Sequence, residues 1–172
     1  MNASLPVVGV SSCLLGRAVR YDGKHKRHAT LLNLLHKKFE YQAFCPEMAI
    51  GMGIPREPIH LLLTESGLRA IGTKTSSLDV TEQLTEIANQ QDWSKSISGY
   101  IFKTRSPSCG VRNVPVVTGD TKTNNGQGLF AAQIRKLYPK LPVADEQQLE
   151  NSEFCRAFIA QIEVYHQQNF FK

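Results

Sequence analysis

The order of elements along this chain predicts an α/β fold, a Rossmann-like three-layer sandwich on a mostly parallel sheet. Two observations carry that expectation. Short apolar, β-prone runs alternate with helix-length amphipathic stretches in the order β-α-β, hairpin, α-β-β-α-β-α. Three of those runs also lead to a cysteine at or beyond their C-terminal end, the rim where open α/β sheets bind ligands. At 172 residues the chain is long enough to bury its own core, so a single domain over 1–172 is expected.

In order, residues 6–11 predict the first strand, which ends in Ser11-Ser12-Cys13-Leu14-Leu15-Gly16. Arg20-Tyr21-Asp22-Gly23 predicts a turn at Asp-Gly, and Lys24-His25-Lys26-Arg27-His28 is a basic cluster, either an anion contact or a solvated helix entrance. A helix over Thr30–Lys38 turns Leu31, Leu34 and Leu35 inward. Phe39–Phe44 is the second strand and delivers Cys45-Pro46-Glu47. Pro58–Leu63 and Leu68–Gly72 read as an antiparallel hairpin. Asp79 is a good N-cap for a helix reaching about Gln91. The central strand Gly99-Tyr100-Ile101-Phe102-Lys103 enters Ser106-Pro107-Ser108-Cys109-Gly110, where Pro107 lacks an amide donor and Gly110 permits a positive φ. Val114–Val117 is expected at a sheet edge because Pro115 cannot donate to a ladder. The polar stretch Thr118–Gly128 is expected to be a mobile lid. A helix over Leu129–Tyr138, a strand over Leu141–Ala144 and a helix over Ser152–Gln167 complete the pattern, the last with Phe154, Phe158, Ile159, Ile162 and Tyr165 on one face and Cys155 as a core or boundary residue.

Composition excludes several classes. A hydrophobic fraction of 41% fits a folded globular protein, and no apolar run approaches a membrane span. No secretory leader pattern opens the chain, so a cytoplasmic location is expected. Four cysteines without close pairs do not form a disulfide framework there. The net charge of +5 leans weakly towards anionic partners such as nucleotides or RNA. Nucleophile-elbow, P-loop and zinc-protease motifs are missing, and Gly51-x-Gly53 and Gly126-x-Gly128 lack the full dinucleotide fingerprint.

Cys13, Cys45 and Cys109 are therefore the candidate site. Read from spacing alone, they are inert buried thiols, zinc ligands or iron–sulfur ligands, and no familiar spacing chooses among these. Glu47, two residues past Cys45, is a candidate proton carrier. Ser106 and Ser108 either bind substrate and activate water or cap their turn. Lys103 and Arg105 flank the same exit as candidate anion contacts.

The motifs named above, with Gly53-Ile54-Pro55-Arg56-Glu57-Pro58, Gly126-x-Gly128-Leu129-Phe130-Ala131 and Leu141-Pro142-Val143, resemble the thiouracil desulfidase family over nearly the whole chain. The resemblance implies a [4Fe-4S] cluster held by Cys13, Cys45 and Cys109. It implies non-redox replacement of a thiocarbonyl sulfur by water, giving uracil and hydrosulfide. Glu47 would move the proton with Ser106 as its partner, and Ser12, Asp22, Lys103, Arg105 and Ser108 would face the substrate. The basic segment is also similar to the N-terminal domain of two-domain desulfidases acting on 4-thiouridine in transfer RNA, whose second domain these residues do not include. The expected partner is a small thiolated base or nucleotide such as 4-thiouracil, 2-thiouracil or 4-thio-UMP, with thiolated transfer RNA as the alternative. A monomer or weak homo-oligomer is expected. A thiolate-zinc hydrolase and a non-catalytic nucleic-acid-binding module are the other readings.

Overall fold

The structure is a computed structural model that describes residues 5–90 and 92–170, without the side chains of Thr30, Leu34 and Ser94. The inward placement expected for Leu34 and the helix end expected at Gln91 thus lie outside the described residues. In chain order the strands are β1 (Val7–Ser11), β2 (Glu40–Phe44), β3 (Ile59–Thr64), β4 (Gly67–Gly72), β5 (Gly99–Phe102), β6 (Val114–Thr118), β7 (Thr121–Gly126) and β8 (Val143–Asp145). The helices are α1 (Ala29–Leu35), α2 (Pro46–Ala49), α3 (Thr81–Asn89), α4 (Leu129–Leu137) and α5 (Ser152–Phe170).

β2, β1, β5 and β8 pair in that order as a fully parallel sheet. Alternation along its strands divides the core. Val8, Val10 and Ile101 pack against Leu31 and Leu35 of α1 and Phe158 and Ile162 of α5. Tyr100 and Phe102 turn the other way, onto Ile87 and Ala88 of α3 and Phe130, Ala131 and Ile134 of α4. Helices on both faces make the three layers expected of a Rossmann-like α/β sandwich. Gly9 is needed in β1 because a Cβ there would lie 2.5 Å from the Tyr100 ring. Cys155 is buried in the α1/α5 layer.

The hairpins form a second sheet in the order β4-β3-β6-β7, where only the β3–β6 pair is parallel. Two expectations fail here. β6 is an interior strand between β3 and β7, and the missing donor of Pro115 is absorbed by a register irregularity between Val114 and Val116. The segment 118–128 is no lid, because Thr121–Gly126 is strand β7, antiparallel to β6 across a turn closed by Thr121 Oγ1 donating to Thr118 O at 2.8 Å. Its side chains are mostly exposed, so no apolar alternation marked it as a strand. Helix α3 starts at Thr81 instead of directly after Asp79, whose carboxylate accepts the Thr81 amide and an Arg69 ion pair.

Candidate active site

In parallel strands that share a register, the chain leaves at one rim. Ser11 of β1 lies opposite Phe44 of β2, and Val10 opposite Ile101 of β5. The three strands therefore release Cys13, Cys45 and Cys109 side by side. All three thiols line one cavity of about 420 Å³, together with Glu47, Arg56, Arg20, Lys26 and the 103–109 segment. All four cysteines are free, and Cys155 lies in the core away from this cavity.

The thiols sit in a setting that disfavours bare thiolates. Burial pushes Cys13 up to about 11, opposed by the Lys103 and Arg20 charges and reinforced by Cys45. Burial also raises Cys109 well above the ordinary thiol range, with Cys45 and Cys13 adding to the rise and a Ser11 hydrogen bond working against it. Cys45 is raised by burial, moderated by the backbone amides of Met48 and Glu47 at the start of α2 and by the Arg56 charge. Cys109 thus feels both other thiols and Cys13 feels Cys45, and joint ionisation calls for positive charge among them. Among the described residues no three His, Cys, Asp or Glu side chains come together tightly enough to hold a single ion. The donor set, three cysteine sulfurs, is of the chemical kind that iron–sulfur clusters and zinc both take.

The cysteine turn is built by Ser106. Its Oγ accepts the Cys109 amide at 3.0 Å and the Ser108 amide at 3.3 Å, and Gly110 N donates to Ser106 O at 2.8 Å. Ser108, which is buried, donates to Glu47 Oε1 at 2.8 Å and lies 3.0 Å from Ser106 Oγ. Glu47 Oε2 receives Arg56 through Nε at 2.8 Å and through Nη2 at 2.7 Å. Sequence reading assigns Arg56 no role of its own. Its signal was a lone arginine, followed directly by Glu57, in the glycine- and proline-rich stretch after Glu47. Ser11 is the other omission. Its Oγ accepts the Lys103 amide at 3.0 Å and its hydroxyl reaches Cys109.

The remaining candidates divide. Ser12 lines the cavity and is buried. Arg105 lines it with a left-handed backbone, φ 57°, and an exposed side chain. Lys103 lines it too, but its ammonium is committed to Glu146 and to Thr104 Oγ1 at 2.7 Å. Asp22 stays outside the cavity wall, exposed, accepting the Lys24 amide at 3.1 Å. Of the basic cluster only Lys26 faces the cavity, while His28 caps α1 by accepting the Leu31 amide at 3.2 Å. Arg20 lines the cavity with its Nε buried, without a hydrogen bond but ion-paired with Asp22 Oδ1 at 3.6 Å.

An α/β sandwich carrying three free thiols, a paired carboxylate and a cationic rim at the ends of parallel strands defines a thiolate-site protein. The sequence model of the 2-thiouracil desulfurase family matches residues 8–146, and the chain belongs to that family. An uncharacterized protein of Bacillus subtilis strain 168, YbbK, is 35% identical over 135 residues, 74% of this chain and 88% of that protein. Among solved structures, the [4Fe-4S]-dependent thiouracil desulfidase TudS matches with a TM-score of 0.65 and 29% identity, over 90% of this chain and 97% of TudS. No helix among the described residues is long and apolar enough to cross a membrane.

Proposed function

We propose that this protein is an iron–sulfur-dependent desulfidase that converts thiolated uracil bases or nucleotides to the oxo form with release of hydrosulfide. The observation that carries the reading is the convergence of three free thiols, Cys13 and Cys109 buried and Cys45 half-buried, and the Glu47 carboxylate on one cavity. Family membership supports it, and so does the likeness to a [4Fe-4S]-dependent desulfidase. When bound by Cys13, Cys45 and Cys109, a [4Fe-4S] cluster supplies a Lewis-acidic iron without a protein ligand, suited to a soft thiocarbonyl sulfur.

The chain's own groups do the rest. Glu47, held in place by Arg56 and Ser108, accepts a proton from the water that adds to the ring carbon. The cationic side chains Arg20, Lys26 and Arg105 face an anionic group on the substrate. Phe44, Ile59 and Pro58 contribute apolar wall against the ring.

Protein purified without oxygen is expected to be brown, with about four irons and four sulfides per chain. Replacing Cys13, Cys45 or Cys109 with serine removes most of the iron, whereas Cys155→Ser, in the α1/α5 layer, retains it. Equal loss from all four substitutions, or a colourless protein holding zinc, overturns the assignment.

A further inference from the structure

Hydrogen bonds around Glu47 can be counted out, and the count separates two serines that the sequence leaves together. A hydroxyl has two acceptor positions and one proton to donate. Ser106 Oγ spends both acceptor positions on the amides of Cys109 and Ser108. Its proton is then directed to Ser108 Oγ, 3.0 Å away. Ser108 has two acceptors in reach, Glu47 Oε1 at 2.8 Å and Cys109 Sγ at 3.8 Å; its one proton goes to the nearer, charged oxygen, and it keeps an acceptor position.

The carboxylate offers about four acceptor positions. Arg56 fills those of Oε2 with Nε and Nη2, and its Nη1 is anchored on Gly53 O at 2.9 Å. The Arg56 side chain is only 5% exposed, so this clamp is not loosened by water. Ser108 takes one position on Oε1. A single acceptor position is left, on Oε1, in a residue that lines the cavity.

We propose that Ser108, rather than Ser106, is the hydroxyl that works with Glu47, and that Arg56 is the positioning residue that turns Oε1 towards the reacting water. Ser106 shapes the turn that presents Ser108 and Cys109. The proposal rests on the desulfidase reading. In that reaction the water oxygen bonds the ring carbon, and one water proton passes to Glu47 Oε1 and then to solvent. The other proton leaves with the sulfur, which takes the electron pairs of the broken C–S bond and departs as hydrosulfide.

The test uses the full chain, cluster-loaded for turnover and metal-free for amide exchange followed by NMR. Ser108→Ala is expected to keep its iron and the protection of the Cys109 amide while kcat falls about 10²-fold with KM little changed. Added to Glu47→Gln, the same substitution costs less than about twofold more, because groups acting as a unit are not additive. Arg56→Lys keeps the charge but loses the two-pronged contact, and is expected to lower kcat at unchanged KM and iron content. Ser106→Ala removes the acceptor of the Cys109 amide, speeding that exchange about tenfold and lowering the iron retained. The assignment is overturned if Ser108→Ala keeps its kcat. It is equally overturned if Ser106→Ala loses kcat with Cys109 exchange and iron unchanged, a result that decides the matter even should Ser108→Ala not fold. Wild-type loaded protein that releases no hydrosulfide from any thiolated base would instead sink the desulfidase reading and leave the exchange result standing.

Discussion

Glu47 shows how far a single side chain is defined by its neighbours. Two residues past a cysteine, it is an ordinary acidic residue of a short helix. Folded, its side chain is 14% exposed, with one oxygen on a guanidinium and the other on a serine hydroxyl. In the proposed reaction a carboxylate so placed moves protons without binding metal, so removing its charge is expected to leave the thiols in place. Glu47→Gln is expected to keep its iron and sulfide while turnover falls by about 10²-fold. Metal analysis beside single-turnover rates checks this, and iron lost together with activity would make Glu47 a ligand or a scaffold residue. Lys103 teaches the opposite lesson. Its pairing with Glu146, itself buried, makes it a poor free anion contact. Its charge acts instead on Cys13, where it opposes the rise caused by burial.

At the scale of elements, the cysteine turn is clamped from behind by the N-terminus of α4. Gly128 N donates to Gly110 O at 2.7 Å, Leu129 N to Pro107 O at 3.0 Å and Ala131 N to Ser108 O at 3.1 Å. A Cβ at Gly128 would lie 2.5 Å from Ser108 C and 2.7 Å from Cys109 N, both backbone atoms that cannot swing aside. Gly128→Ala is therefore expected to destabilise the fold by about 1–3 kcal/mol and to lower iron retention in step. Thermal melts of the metal-free protein and iron content measure the two effects separately. A variant that melts like wild type would show that the turn is not pinned by α4. Strand β7 is exposed, and its Asn124 lines a polar cleft with Arg105 and Arg112.

Taken whole, the molecule has a positive balance, +5, and directs part of it at the cavity through Arg20, Lys26 and Arg105. Such a rim favours a substrate that carries a phosphate. Thiolated nucleotide is expected to be turned over with a higher kcat/KM than the free base or thiolated transfer RNA. Raising ionic strength from about 0.1 to 1 M shortens the screening length from about 10 to 3 Å. It should raise KM for the nucleotide and leave the base unaffected. Arg105→Gln is expected to reproduce that change. Base, nucleotide and transfer RNA compared under identical anaerobic conditions decide the matter, and a wide advantage for transfer RNA would make the basic rim an RNA contact.

Much of this architecture is local and therefore legible in sequence. Strands β1, β2 and β5 and their cysteine exits follow from apolar runs ended by Ser, Pro and Gly, because backbone chemistry alone stops a strand there. The chain likewise announces α4 and α5 by the spacing of their apolar residues. Strand β7 was not legible, since its order comes from backbone pairing with β6 while its side chains remain in water. Pro115 misled for a related reason, because a bulge that spares its missing donor exists only once β3 and β7 lie on either side. The site divides in the same way. Its thiols and carboxylate could be named from the sequence, but their partners could not. Arg56 reaches Glu47 across nine residues, Ser108 across 61, and Glu146 reaches Lys103 across 43. Which hydroxyl meets the carboxylate, and which cation stays unpaired, depend on angles and distances that arise only when separate strand ends are packed on one rim.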